Sequence, residues 1–534
     1  MPESRTLLAA GVLGLLIGLG AEARAQEARI ASIDVEAEDV FGPEDTQRGF
    51  LNGFLYRGAN ALHVTTRETS IRRWLLFSEG DPYDPALLAE SERLLRSLGL
   101  FRSVSVTADP PDQTGAVAIR VRTQDAWTVH VGLSAGSGGG KTQGGVTLGE
   151  SNLFGTGRQL FVGWAEDPQR SYRRVEFTDP YFLVPHGTAY AAFANNSDGG
   201  QKTLNFSRPF YALGTPWAAA AGYSDLSLEE TLWAPGGAEK DVYHARHLGI
   251  DLSYGLAVWR GAAGAARLSA GLDWRTDTFE GGDPALLPED RRFRTVWLGW
   301  ETVGNGYLKW NYVNRDDREE DFLLSPHLSL RGGLSPRSFG ADHTTALLGA
   351  ALEGGLVLGA SALLTGRATF DTRMSTNGLE NGILTAQIGL VRRFDTSLRQ
   401  TFVARVALLQ GWNLYRDQQV FLDGASGLRG YRLYAFEGDR RLVVNLEQRF
   451  FSGRQLFGLI SPGAVVFADA GVIGGPGQPI RLSGVKADAG VGLRFGMSWA
   501  PVVNVFRVDA AYAFQPDPAG HRGWLVSFAA GQAF

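Results

Sequence analysis

The sequence contains no cysteine, so a disulfide framework and Cys-ligated metal centres are excluded. Histidine is sparse: 8 residues are scattered over 534, and no His-Glu-x-x-His pair occurs among them. No basic excess exists either. The net charge is −5, which removes the electrostatic footprint of a nucleic-acid binder. Charged residues make up only 20%, less than a soluble domain usually carries. Long apolar runs are confined to two places. Leu7–Ala21 follows Arg5 and precedes the small-x-small site Ala23-Arg24-Ala25, which reads as a secretory signal peptide over residues 1–25, with the mature chain starting at Gln26. Ala346–Leu364 is interrupted by Glu353, costly at the centre of a membrane helix, so it reads as a β-hairpin turning near Glu353-Gly354-Gly355.

What is abundant is glycine, 69 residues, together with 11% aromatics. Residues 28–127 mix helix and strand. Ile33 and Val35 alternate in a first strand, and Asn60–Thr65 reads as a second extended piece. Thr66 is placed to cap a helix carrying Ile71, Trp74 and Leu75 and ending by Gly80. Asp84 caps a second helix, with Pro85 at its first position, an apolar stripe of Leu87, Leu94, Leu95 and Leu98, and Gly99 as its stop. Val104 and Val106, then Val117, Ile119 and Val121, alternate in two strands. This βααββ order, with Leu75-Leu76-Phe77, Glu79–Tyr83 and Gly99-Leu100-Phe101, resembles a POTRA domain. That resemblance implies a unit that binds extended segments at a sheet edge. His63, alone in its run, reads as packed or solvated.

Beyond Thr128 the helical signals stop. Ala487, Ala489, Val491, Leu493 and Phe495 alternate with Lys486, Asp488 and Arg494. Phe506, Val508, Ala510 and Tyr512 alternate with Arg507 and Asp509, and Trp524, Val526, Phe528 and Phe534 share one parity. Period-two alternation over many short segments is the pattern of a transmembrane β-barrel with its apolar face in lipid. Arginine at mid-bilayer costs about 2–4 kcal/mol, so Arg494 and Arg507 are expected to face the lumen. Between fifteen and twenty candidate strands can be drawn over residues 128–534.

Several short motifs then occur in order: Gly149–Gly157, Phe177–Phe182, Leu428-Arg429-Gly430-Tyr431, Glu447-x-Arg449, Phe467-Ala468-Asp469-Ala470-Gly471, Gly490-x-Gly492-x-Arg494 and Arg507-x-Asp509. Together they resemble the BamA/TamA superfamily of outer-membrane barrels, the bacterial surface antigens. The resemblance implies sixteen antiparallel strands behind POTRA units in the periplasm; its insertase branch carries several and its two-partner secretion branch two, whereas this sequence shows one. It also implies a sixth extracellular loop, here 421–440, folded into the lumen. Arg429 would pair there with Asp469, near Glu447, Arg449, Asp488 and Arg494 on the wall. Gly427 and Gly430 flank Arg429 and permit close backbone approach. A seam between the first strand, near Thr128–Ala135, and the last, Arg522–Phe534, would open or thin the membrane, with Phe534 at the seam.

The implied activity is insertion or translocation of polypeptides, with an unfolded client, outer-membrane lipid and periplasmic accessory proteins as partners. A passive pore and a lipid-handling barrel are the alternatives. No cofactor, metal site or enzymatic centre is expected. Ala135–Thr142 fits a relaxed P-loop spelling, but it precedes a strand rather than a helix and reads as a hairpin connection. The acidic run Asp316–Asp321 reads as a solvated loop.

Overall fold

The computed structural model describes residues 28–534 apart from 43–46, 48–53, 55, 59, 62, 139–140, 168, 315–318, 395–398, 457–459 and 498–504; the expected signal peptide lies outside the described residues. The N-terminal domain comprises β1 (Arg29–Glu38), α1 (Glu68–Trp74), α2 (Pro85–Ser97), β2 (Phe101–Ala108) and β3 (Ala116–Asp125). The sheet order is β1-β3-β2, with β1 parallel and β2 antiparallel to the central strand. The helices pack Ile71, Trp74, Leu88 and Leu95 onto Ile30, Ile33, Val104, Val117, Ile119 and Val121 in one core.

The start of α2 follows its sequence signals. The Asp84 carboxylate accepts from the Ala86 amide, and Gly99 leaves the helix at φ +70°. The start of α1 does not. Arg67, with no side-chain cap, holds that position, because the Thr66 amide and hydroxyl instead donate to the buried Asp125 carboxylate at 2.7 and 3.0 Å. The helix stops at Trp74, short of Gly80, which serves a turn at φ +91°. Asn60 and Ala61 are helical, correcting the extended reading there, and His63 packs between Asp39 and Asp125.

The rest of the chain forms one antiparallel sheet. Its strands are β4 (Val129–Gly138), β5 (Lys141–Leu153), β6 (Arg158–Glu166), β7 (Ser171–Asp179), β8 (Thr188–Asn196), β9 (Gly199–Arg208), β10 (Trp217–Trp233), β11 (Glu239–Gly261), β12 (Gly264–Glu280) and β13 (Arg291–Gly304). A short hairpin, β14 (Tyr307–Trp310) with β15 (Glu320–Leu323), interrupts the series. The wall resumes with β16 (His327–Ser335), β17 (Thr345–Leu358), β18 (Ala362–Ser375), β19 (Gly378–Phe394) and β20 (Arg399–Trp412). Two small strands, β21 (Val420–Leu422) and β22 (Phe436–Gly438), pair inside the next loop. The wall ends with β23 (Arg440–Phe451), β24 (Ser461–Gly474), β25 (Lys486–Gly496), β26 (Val505–Ala513) and β27 (Gly523–Ala530). Among the described residues twenty strands close into a barrel, not the sixteen expected. The difference lies in tight connections. Turns such as Ser197–Asp198, Ala262–Ala263 and Thr376–Asn377 leave only two residues between strands. The loop at 413–439 is consequently the eighth, not the sixth, at the end remote from the N-terminal domain.

Closure is uneven. β26 and β27 align continuously from Phe506–Ala530 to Ala513–Gly523, whereas among the described residues β27 meets β4 through one registered pair, Phe528–Ser137.

Alternation sorts the wall. Leu148, Val162, Leu252, Leu298, Leu352, Ile388, Val491 and Val526 point outward and exposed, while Asn445, Glu447, Arg449, Asp469, Asp488, Arg494 and Asp509 are buried inside. Among the described residues no helix is long and apolar enough to cross a membrane. Glu353 lies within β17 facing the lumen, where it meets His327 at 3.1 Å. The hairpin expected to turn at Glu353–Gly355 turns instead after Leu358, with Gly359 at φ +68°. The relaxed P-loop spelling falls on the β4–β5 hairpin.

The Asp125 carboxyl is pushed up to about 7, first by burial and then by the charge of Asp39, against the two hydrogen bonds from Thr66. His63 faces it at 3.5 Å. Because the folded-state value is raised, the contribution of Asp125 to stability is greatest below the ordinary carboxylate range and is lost as pH rises from about 4 through 7. Asp125→Asn keeps an acceptor for Thr66 and removes this loss. Trypsin resistance of the N-terminal domain in the full-length protein should fall between pH 4 and 8 in the parent and stay flatter in the variant.

Candidate functional site: a charged lock in the barrel lumen

The loop between β20 and β23 enters the lumen because its own side chains shape it. The Asp423 carboxylate accepts from the amides of Ser426 and Tyr434, and the Asp423 amide donates to the Ser426 hydroxyl. Leu422, Leu428, Tyr431 and Ala435 then bury against Val443 and Ala513 of the wall. Tyr434 stacks on Trp233 at 4.4 Å, and Arg291 grips Asp417 with two hydrogen bonds of 2.8 Å. The loop is thus tied to β10 and β13 as well as to the strands that flank it.

Arg429 reaches the wall at the tip. Its Nε and Nη2 donate to the two Asp469 oxygens at 2.8 and 3.0 Å, and Nη1 donates to Glu447 at 3.0 Å. The guanidinium lies 3.4 Å from the centre of the Phe467 ring. Asn445 Nδ2 donates both to the Gly427 carbonyl at 2.7 Å and to Asp469 at 2.8 Å, so one amide fixes loop and wall together. Gly430 lies over Asp488, the register partner of Asp469; a Cβ there would come within 2.7 Å of the Asp488 Cβ.

The lock extends toward the other end. Arg449 is fully buried and donates to Glu447 at 3.1 Å. It also reaches the Val313 carbonyl at 2.8 Å, Asn314 Oδ1 at 3.1 Å and the Phe534 carbonyl at 3.1 Å. Arg494 pairs with Asp509 at 2.6 Å and donates to Gln532 at 3.0 Å, and Arg507 also reaches Asp509 at 2.8 Å. Four guanidinium groups therefore share one buried volume with Glu447, Asp469, Asp488 and Asp509.

The structure gathers Leu428, Arg429, Gly430, Tyr431, Glu447, Arg449, Asp469, Asp488 and Arg494 around one point. Phe534 is the exception. It does not stand in the seam. After β27 ends at Ala530, Gly531 turns at φ +84°, and Phe534 packs inward with Val313, Leu363, Val391 and Val403. Three arginines, Arg405, Arg429 and Arg449, lie within 6 Å of its ring centre, at 5.9, 5.6 and 5.7 Å, and draw the ring from the lipid side. Asp509, marked within the Arg507-x-Asp509 motif, and Asn445, which no motif marked, also belong to the lock. Val313 and Asn314 carried no such signal.

The arrangement is electrostatic rather than reactive. No group of three His, Asp or Glu side chains among the described residues is set to hold a metal. The Gly132–Gly136 segment spells Gly-x-Ser-x-Gly but lies within paired strand β4, not at the strand-to-helix turn that exposes a nucleophile.

Removing one member of a buried ion cluster strands its partners, at a cost of about 3–5 kcal/mol. Arg429→Ala should therefore release the loop while the barrel stays folded. Proteolytic cleavage within 423–435 should appear in the variant, with heat-modifiable electrophoretic mobility retained. Arg429→Lys, which cannot span both oxygens of Asp469, should fall between parent and Ala.

Residues 60–124 match the POTRA family model, described as a surface antigen variable number repeat. A segment of 189 residues is 36% identical to the outer membrane protein assembly factor BamA of Neorickettsia risticii (strain Illinois), covering 34% of this chain and 25% of that protein. Another of 136 residues is 32% identical to the factor of the same name in Neisseria meningitidis serogroup B, covering 23% of this chain and 16% of the other. The matches thus span a quarter or less of these relatives' length. The solved structure of CdiB from Acinetobacter baumannii aligns over 95% of this chain and 74% of its own at 13% identity, with a TM-score of 0.50, a likeness of fold.

Proposed function

Since this chain is a BamA/TamA-type barrel with a POTRA domain, we propose that it inserts or translocates polypeptides at the outer membrane. The POTRA domain sits in the periplasm and receives the client. The observation that carries this reading is the unequal closure of the wall: β27 and β4 share one registered pair, next to fully zipped neighbours. Each backbone group left unpaired in hydrocarbon costs several kcal/mol. A seam with so few cross-strand bonds is the cheapest place for the wall to part and offer its edges to an incoming strand.

The POTRA sheet supports the same reading. β2 is an edge strand, and an edge is a template for an extended client. The domain also stands against the first barrel turn: the Arg67 amide donates to the Gly155 carbonyl at 2.9 Å, and Asn152 Nδ2 donates to Thr66 Oγ1 at 2.8 Å. Movement at the client-receiving sheet therefore reaches β5, the neighbour of the seam strand β4. A steady open pore is disfavoured, because the 413–439 loop fills the lumen from one end and residues 311–314 with Phe534 fill it from the other.

The absence of native cysteine makes the seam directly testable. Ser137→Cys with Phe528→Cys should form a disulfide across the one registered pair. In cells depleted of the parent protein, the oxidised variant should fold, yet fail to restore the outer-membrane or secreted proteins lost on depletion, as measured by proteomics. Reduction should restore them. Full complementation by the oxidised form would overturn gating at this seam.

A further inference from the structure

Between β13 and β16 the described residues 305–314 and 319–326 lie outside the barrel wall, with β14 paired to β15. This excursion lies at the POTRA end, and it touches two things at once. Its inner part enters the lumen. Val313 is 1% exposed and packs with Leu363, Val391 and Val403, and the Tyr312 carbonyl accepts from the Thr401 hydroxyl at 2.7 Å. The Val313 carbonyl and the Asn314 side chain occupy Nη1 of Arg449, the residue that also holds Glu447.

Its outer part is clasped by helix α2. Arg96 donates to both Asp321 oxygens, each at 3.1 Å. Lys309 meets Glu92 at 2.5 Å, and the Arg93 guanidinium lies 4.1 Å from the centre of the Tyr307 ring. Glu92 also accepts from the Val106 amide, at 3.1 Å, on the free edge of β2. A cleft of about 460 Å³, lined by Arg93, Arg96, Phe101, Arg102, Val104 and Asp321, separates that edge from β15.

We propose that residues 305–314 and 319–326 are a plug for the periplasmic mouth of the lumen, held in place by α2 of the POTRA domain. The clasp shares Glu92 with the β2 edge, so an extended segment bound at that edge competes for the same contacts. Client binding outside would then loosen the plug and, through Arg449, the charged lock within. The inference deepens the proposed function by giving its regulation. The plug itself is testable without any client.

Leu363 is fully buried beneath Val313. In a chain with no other cysteine, Leu363→Cys reports whether the plug is seated. Labelling by a water-soluble maleimide should be slow in the otherwise intact protein. Adding Arg96→Ala and Lys309→Ala should accelerate it about tenfold, the equivalent of about 1.4 kcal/mol. Arg96→Lys should restore much of the protection. Arg292→Ala, which breaks an ion pair at the opposite end of the barrel, should leave the rate unchanged. Heat-modifiable mobility confirms that each variant is folded. Fast labelling with the clasp intact, or an unchanged rate in the folded Arg96→Ala/Lys309→Ala variant, would overturn the plug. Neither result bears on the seam, whose disulfide is read by complementation, so the two readings fail separately.

Discussion

A guanidinium removed from water costs several kcal/mol unless carboxylates and hydrogen-bond acceptors replace its hydration. The lumen contains Arg429, Arg449, Arg494 and Arg507, and the rest of the molecule is arranged to satisfy them. Glu447, Asp469 and Asp509 come from wall strands β23, β24 and β26, staggered within a few residues of one another, so the acids share the lumen face before the loop arrives. Arg429 is brought by the loop, while the acceptors of Arg449 come from the hairpin and the chain end. Arg429 needs the loop, Arg449 needs the hairpin and the chain end, and Arg494 and Arg507 share Asp509 within the wall, so the cluster links segments distant in sequence.

Much of this was legible in the amino-acid order. Alternation at Lys486–Gly496 and Val505–Tyr512 gave the parity of Asp488, Arg494, Arg507 and Asp509, because a one-residue slip would send Arg494 and Asp509 into lipid. The pairing of Arg429 with Asp469 followed from the resemblance, and the glycines around Arg429 agreed with it. The strand number was not fixed: alternation allowed fifteen to twenty because several runs can be split or joined, and the figure of sixteen came from the resemblance. Thr66 misled because a tertiary acceptor, Asp125, outcompeted the local cap. Phe534 misled because parity says nothing once the strand has ended and Gly531 has turned the chain. The hairpin at 305–326 was invisible as a lumen element: Val313 and Asn314 are acceptors through a carbonyl and an amide, groups with no distinctive spelling.

Twenty strands have a physical consequence of their own. Barrel diameter grows roughly in proportion to strand number, so this wall is wider by about a quarter than one of sixteen. Wall side chains alone do not fill such a cross-section. The space is taken up by the 413–439 loop, packed through Leu428 and Tyr431, and by Val313 and Phe534 below it. The breadth of the cylinder and the presence of two inward segments are thus parts of one packing solution.

Gly430 carries a last implication. The gap between this residue and Asp488 is smaller than a methyl group, and the Ala513 amide closes it from the side at 3.1 Å. The wall is therefore a depth stop for the loop, reached only by bare backbone. A single carbon added there would hold the tip back from its seat, and Arg429 would hang short of two acids left facing each other in the dark of the protein. How far one loop descends, and with it the seal of the whole outer face, is set by an atom the chain does not have.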